Sequence, residues 1–306
     1  MLVSRGDPST FEAVATFRQT RALAIQWVVV AVVGFFAFAY GFAHVRATIR
    51  GATLEPIVFH AFTPPDALVW LAITLVLVAL VVVPHELLHG VFMARYGASP
   101  SYGVGVSHFV LPYAYAETVG ESFTRNQLLI TLFAPFVGIT TIGVMAMLVH
   151  PSPLLIVPLA ANAAGSIGDL WMAGVLLQYP ASVRVAPPPG GAQGFGIYAS
   201  SDDGDVRRRS RHRFAVRAVT GAIGTLVVVA TALAGTVFLS LAVGTGTVVI
   251  GDPGSRWLLF RHEFDPESGT VLLEIGATVV LTLASIGGVL WATLVESVLA
   301  LRTVPS

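Results

Sequence analysis

Six apolar stretches, each long enough to cross a bilayer, constrain this chain more than anything else in it. A helix needs about 20 residues to span roughly 30 Å of hydrocarbon, and the runs 22–45, 67–93, 127–149, 154–179, 216–243 and 271–301 all qualify. Backbone groups in hydrocarbon must be satisfied within the segment. The expected fold is therefore all-α: a polytopic integral membrane bundle of about six transmembrane helices. Only 11% of the residues are charged, against about 25% in a soluble domain, and the mean hydropathy is +0.79. The first run exceeds the apolar region of about 7–15 residues typical of a signal peptide, so it reads as a retained anchor.

Orientation follows from the arginines, because cytoplasmic loops carry the excess of positive charge. All 17 basic side chains are Arg. With six spans and both termini cytoplasmic, thirteen lie on the inner side and only Arg46, Arg50, Arg256 and Arg261 on the outer. A multi-pass protein of the cell membrane is the expectation, with the lipid bilayer as its first partner.

The connections divide the chain. Residues 97–120 are rich in Gly, Tyr and Val with partial alternation, which predicts a short β-hairpin between spans 2 and 3 at the membrane surface. Residues 181–214 carry Pro187-Pro188-Pro189-Gly190-Gly191 and then Arg207-Arg208-Arg209-Ser210-Arg211. They read as a flexible cytoplasmic linker between a four-span core, 1–180, and a two-span C-terminal region, 215–306. No aromatic interleaving accompanies the basic cluster, so it predicts contact with anionic lipid and no nucleic acid. No oligomeric state is assigned.

Chemistry is concentrated in His85-Glu86-Leu87-Leu88-His89, within the second run. Residues four apart share a helix face, so both imidazoles can bind one metal ion while Glu86 reaches the water beside it. The chain has no cysteine, so any metal is held by His, Asp or Glu. That donor set suits zinc, Zn2+. A buried Glu costs about 2–3 kcal/mol in a membrane helix unless it has a role or a partner. Pro84, just before the motif, fits the first turn of a new helical segment or a kink.

Catalytic zinc takes three protein ligands and keeps one position open. The leading candidate for the third is Asp169, inside the fourth run. Spans 2 and 4 run in the same direction, and at 1.5 Å per residue Asp169 and His85 fall at depths of roughly 22 Å and 27 Å, within about one turn. Gly165, Ser166 and Gly168 would let this helix approach its neighbour closely. Asn162, two turns before Asp169, could donate a hydrogen bond to substrate or to a developing oxyanion. Glu117, Glu121 and His108, in the loop after the motif, are the alternative third ligands. Glu274 and Glu296 are expected in helix pairing or at the interface.

Pro84 to Gly90, Tyr113 and Tyr115, Ala134-Pro135 in the third run, and Asn162 to Asp169 together resemble the putative zincin peptidases, a family of membrane proteins. More distantly they are similar to the site-2 proteases, the intramembrane zinc metalloproteases, departing from them in having Gly168 before Asp169 and Leu170 after it. The resemblance covers roughly residues 67–179. It implies an enzyme, a zinc metalloendopeptidase (hydrolase), carrying out intramembrane proteolysis on membrane or membrane-proximal protein or peptide substrates. It also implies His85, His89 and Asp169 as metal ligands, Glu86 as the general base toward a zinc-activated water, and Asn162 as a second catalytic residue. Substrate would unwind and join the hairpin by strand addition. Two readings from other classes compete: a catalytically silent membrane scaffold, and a metal or solute transporter using the His cluster as a binding site.

Overall fold

The computed structural model describes residues 11–52, 54, 57–59, 64–106, 112–118, 120–188, 193–200, 210–243 and 246–302. Six helical segments in it are long and apolar enough to cross a membrane. The fold is a helical membrane bundle carrying small antiparallel sheets.

Local chemistry sets the helix limits. Thr20 accepts a hydrogen bond from Leu23 N–H at 3.2 Å and opens α1, Arg21–Ile49. Pro64 and Pro65 begin α2, Pro64–Arg95, where a missing N–H costs nothing. Thr124 and Gln127 form a reciprocal capping box at the start of α3, Arg125–Val149, which satisfies two otherwise orphaned donors. The fourth span opens with a 3-10 turn, Pro153–Leu155, and is then split into α4, Ile156–Gly165, and α5, Ile167–Leu176. Ser166 stands at the joint. The last two spans are α6, Ser210–Val243, and α7, Ala277–Arg302.

Three sheets occur among the described residues. The first has the order β1 (Phe11–Arg18), β7 (Gly194–Ser200), β6 (Arg184–Ala186), β5 (Phe123–Thr124). The second has the order β2 (Ile57–Phe59), β10 (Thr270–Ile275), β9 (Phe260–Asp265), β8 (Thr247–Ile250). The third is the hairpin of β3 (Ser101–Val106) and β4 (Pro112–Glu117), with Gly103 opposite Tyr115 and Tyr102 opposite Ala116. That hairpin lies where the Gly- and Tyr-rich pattern predicts it.

Three expectations need correction. Residues 271–275 belong to β10, so the last span begins at Ala277; an apolar run broken only by Glu274 does not distinguish a half-buried strand from the first turns of a helix. The stretch 181–214 is not linker throughout, since β6 and β7 lie inside it. Val183, Val185, Phe195 and Ile197 there are buried against Leu129 and Leu132 of α3 and Ala173 and Leu176 of α5. Pro84 opens no new segment, because α2 runs through it as one helix.

The chain forms two compact units, Met1–Ala39 with Leu77–His212, and Tyr40–Val76 with Arg213–Ser306. Boundaries at 180 and 214 therefore do not describe its packing. The end of α1 joins the C-terminal residues because Tyr40 Oη donates to the Ile275 carbonyl at 2.8 Å, and β2 pairs with β10. In that second unit Glu296 of α7 forms an ion pair with Arg217 of α6, and Glu274 lies 3.7 Å from Arg261. Both acids serve pairing. The first unit holds the His-Glu-x-x-His motif, and its sheet anchors the ends of α3 and α5 that flank it.

Candidate metal centre

α2 carries His85, Glu86 and His89 on consecutive turns, and both imidazoles are buried, 8% and 7% exposed. Their rings are 5.1 Å apart, edge to face. Asp169 enters from the first turn of α5, a position that favours a carboxylate. Its Oδ2 lies 3.2 Å from His85 Nε2 and 3.3 Å from His89 Nε2. The depth argument from the sequence and the geometry of the structure bring together the same three side chains.

The spacing fits a metal ion. Ligand atoms placed about 2.0–2.1 Å from a tetrahedral ion such as zinc lie about 3.3 Å from one another, and both Asp–His separations have that value. All three donors fall within 4.8 Å of one another, and they form the one cluster of this kind among the described residues. Two nitrogens and one oxygen are the donor chemistry of a borderline-soft divalent cation.

Each imidazole is also held from behind. His85 Nδ1 is 3.0 Å from Asn162 Oδ1, and His89 Nδ1 is 2.9 Å from the Thr131 carbonyl. An oxygen at Nδ1 accepts its proton and so leaves Nε2 as the lone-pair nitrogen, turned toward Asp169. Asn162 is 1% exposed, and its Nδ2 donates to the Pro135 carbonyl at 3.2 Å. Both ends of that amide are engaged, so in this arrangement Asn162 meets His85 and α3 instead of open space. Ser166 N–H and Oγ both donate to the Asn162 carbonyl, at 2.9 Å and 2.8 Å, and fix α4 to α5 at the joint.

Glu86, half-buried, lies beside the backbone of Ala116 in β4. The hairpin is therefore seated on the motif. Gly90 makes that possible, because a Cβ there would collide with the Tyr102 ring of β3. The small residues of the fourth span play a different part from the one expected. A Cβ on Gly168 would come 3.3 Å from Trp27 of α1, so this glycine admits α1, whereas Gly165 has open space beside it. Of the alternative ligands, Glu117 lies exposed at the end of β4 and Glu121 is half-buried beyond it; neither joins the cluster. His108 lies outside the described residues.

Thr131 and Pro135 were not singled out by chemistry in the sequence. A proline at the centre of an apolar span was the available signal, since it strips one carbonyl of its helical donor.

A family model described as putative zincin peptidase matches residues 77–184, from the middle of α2 to the first residue of β6. That segment contains every residue of the site. No curated protein and no solved structure matches the chain.

Proposed function

We propose that the protein is a membrane-embedded zinc endopeptidase acting on membrane or membrane-proximal polypeptides. The observation that carries this reading is the meeting of His85 Nε2, His89 Nε2 and Asp169 Oδ2, with both Asp–His separations at tetrahedral ligand spacing, beside a carboxylate that is not needed as a ligand. The match to the zincin peptidase family over the same residues supports it.

His85, His89 and Asp169 would hold the ion. When bound, zinc supplies Lewis acidity, which brings the pKa of a water toward about 7 and polarises a carbonyl. Glu86 takes the water proton and later delivers it to the leaving amine, one carboxylate serving as base and then as acid. The Ala116 backbone of β4 stands beside that carboxylate. Asn162 and the Thr131 carbonyl keep both histidines in the tautomer that ligates through Nε2. The hairpin offers backbone groups to an unwound substrate, which a helix cannot present to a hydrolase while its own carbonyls are bonded. The arginine distribution supports a location in the cell membrane with both termini cytoplasmic.

The test is metal analysis of the purified protein in detergent, with His85→Ala, Asp169→Ala and Glu117→Ala alongside. One zinc per chain in the wild type and in Glu117→Ala, lost in the other two, supports the reading. Full zinc in Asp169→Ala with loss in Glu117→Ala would overturn this ligand set, and a wild type that binds no zinc would leave a membrane scaffold.

A further inference from the structure

The third span contains a proline in mid-helix, Pro135, buried in α3, and the proposed chemistry gives it no role. Proline has no N–H, so in an α-helix the carbonyl four residues before it loses its donor. Here that carbonyl belongs to Thr131. It is the same oxygen that stands 2.9 Å from His89 Nδ1. The Thr131 hydroxyl is occupied elsewhere, donating to Gln127 O at 3.0 Å, and Thr131 is fully buried. In a buried span, a carbonyl without a partner is costly, and the imidazole of His89 supplies the missing donor.

We propose that Pro135 is a positioning residue for the metal site: by withholding an N–H from α3 it leaves the Thr131 carbonyl to His89, and so sets the ring orientation and tautomer of a ligand. The inference rests on the metal-site reading above and goes beyond it. The same residue acts on the other histidine as well. Its own carbonyl accepts from Asn162 Nδ2, and Asn162 Oδ1 accepts from His85 Nδ1. One turn of α3 thus supports both imidazoles, one through a freed carbonyl and one through an amide relay. A proline retained only to bend the helix would act on packing and leave the metal alone.

The two roles separate in Pro135→Ala. Alanine restores an N–H at 135, which recaptures the Thr131 carbonyl into the helix ladder, and helix propensity itself improves. Zinc affinity, read by chelator competition on the full chain in detergent, is expected to fall about 10-fold or more, the usual effect of losing such a support. The absorption bands of the cobalt-substituted protein should shift with it. Incorporating at 135 the α-hydroxy acid counterpart of alanine removes the N–H without the ring, and it should bind zinc as the wild type does. If Pro135→Ala does not fold, the α-hydroxy acid counterpart of leucine at 132 tests the same bond by turning the Thr131 carbonyl into a weaker ester acceptor; it too should lower affinity. Wild-type affinity and an unchanged cobalt spectrum in a folded Pro135→Ala, or in the ester variant at 132, overturn the proposal and leave the metal reading standing. Absence of zinc from the wild type overturns both, and loss of zinc in His89→Ala verifies that the site being read is this one.

Discussion

The Tyr102 ring lies over the bare Cα of Gly90, one residue past the second histidine of the motif, and this contact seats the hairpin on α2. Gly90→Ala therefore sets two effects against each other. Alanine gains about 0.8–1.0 kcal/mol of helix propensity, whereas overpacking costs about 1–3 kcal/mol when the neighbour cannot move. Tyr102 is 48% exposed and can swing outward, so the thermal midpoint should change little. With Tyr102 swung away the hairpin loses its seat and the Ala116 backbone can shift from beside Glu86, so peptide hydrolysis should fall about 10-fold while zinc content stays the same. Full activity in Gly90→Ala would show that the seat of the hairpin is irrelevant to turnover.

Glu86→Gln keeps the shape of the side chain and removes the proposed base. Hydrolysis of a reporter with a fluorophore-labelled transmembrane segment in proteoliposomes should drop about 10²–10⁴-fold, with one zinc per chain retained. A loss of metal in this variant would make Glu86 a ligand and the proposed division of labour wrong.

Proline in β4 tests strand addition. Tyr113→Pro removes a backbone donor from a strand of a two-stranded sheet, where an incoming segment would need it. Cleavage should slow about 10-fold with zinc affinity unchanged, since the proposed metal ligands lie on α2 and α5. Equal rates for wild type and variant would rule out the hairpin as the substrate's docking edge.

In the second unit, His262 of β9 is fully buried, and neither ring nitrogen has a hydrogen-bond partner among the described residues. Burial pushes its imidazole below the ordinary value. The sign follows directly: the unfolded chain takes up a proton near about pH 6.5, while the folded sheet resists it. Stability is complete above that pH and declines as the pH falls below it. The protection factors of the β8 to β10 amides, with exchange corrected for its intrinsic pH dependence, should therefore fall between about pH 6.5 and 5, by at most tenfold per pH unit for one proton. His262→Leu should flatten that dependence; a slope as steep as in the wild type would assign it to another group.

Much of this architecture can be read from residue order, for definite reasons. Hydrocarbon allows few backbone solutions, so six apolar runs predict six spans. His-Glu-x-x-His and Asp169 are legible because ionisable groups are scarce in such runs and helical rise converts sequence distance to depth. What escapes is whatever depends on pairing between distant segments. Nothing local to Phe11–Arg18 announces that it will lie beside Gly194–Ser200, and Val271 to Ile275, apolar but for Glu274, runs straight on toward the helix that follows. Asn162 is visible as a polar residue on the right face. Which of its neighbours take its two ends is decided by α2 and α3, so an expected role toward substrate becomes, in the fold, contact with His85 and Pro135.

The proposed ligands come from far apart in the chain, His85 and Asp169 being 84 residues distant. In a protein without cysteine, a metal ion held by both would be a covalent-like staple, closing a long loop in the unfolded ensemble. By the chain-entropy estimate used for disulfides, closing a loop of that length is worth about 4–5 kcal/mol. Chelation would then do more than silence chemistry: it would loosen α2 from α5 and make metal supply a determinant of how long the folded protein survives.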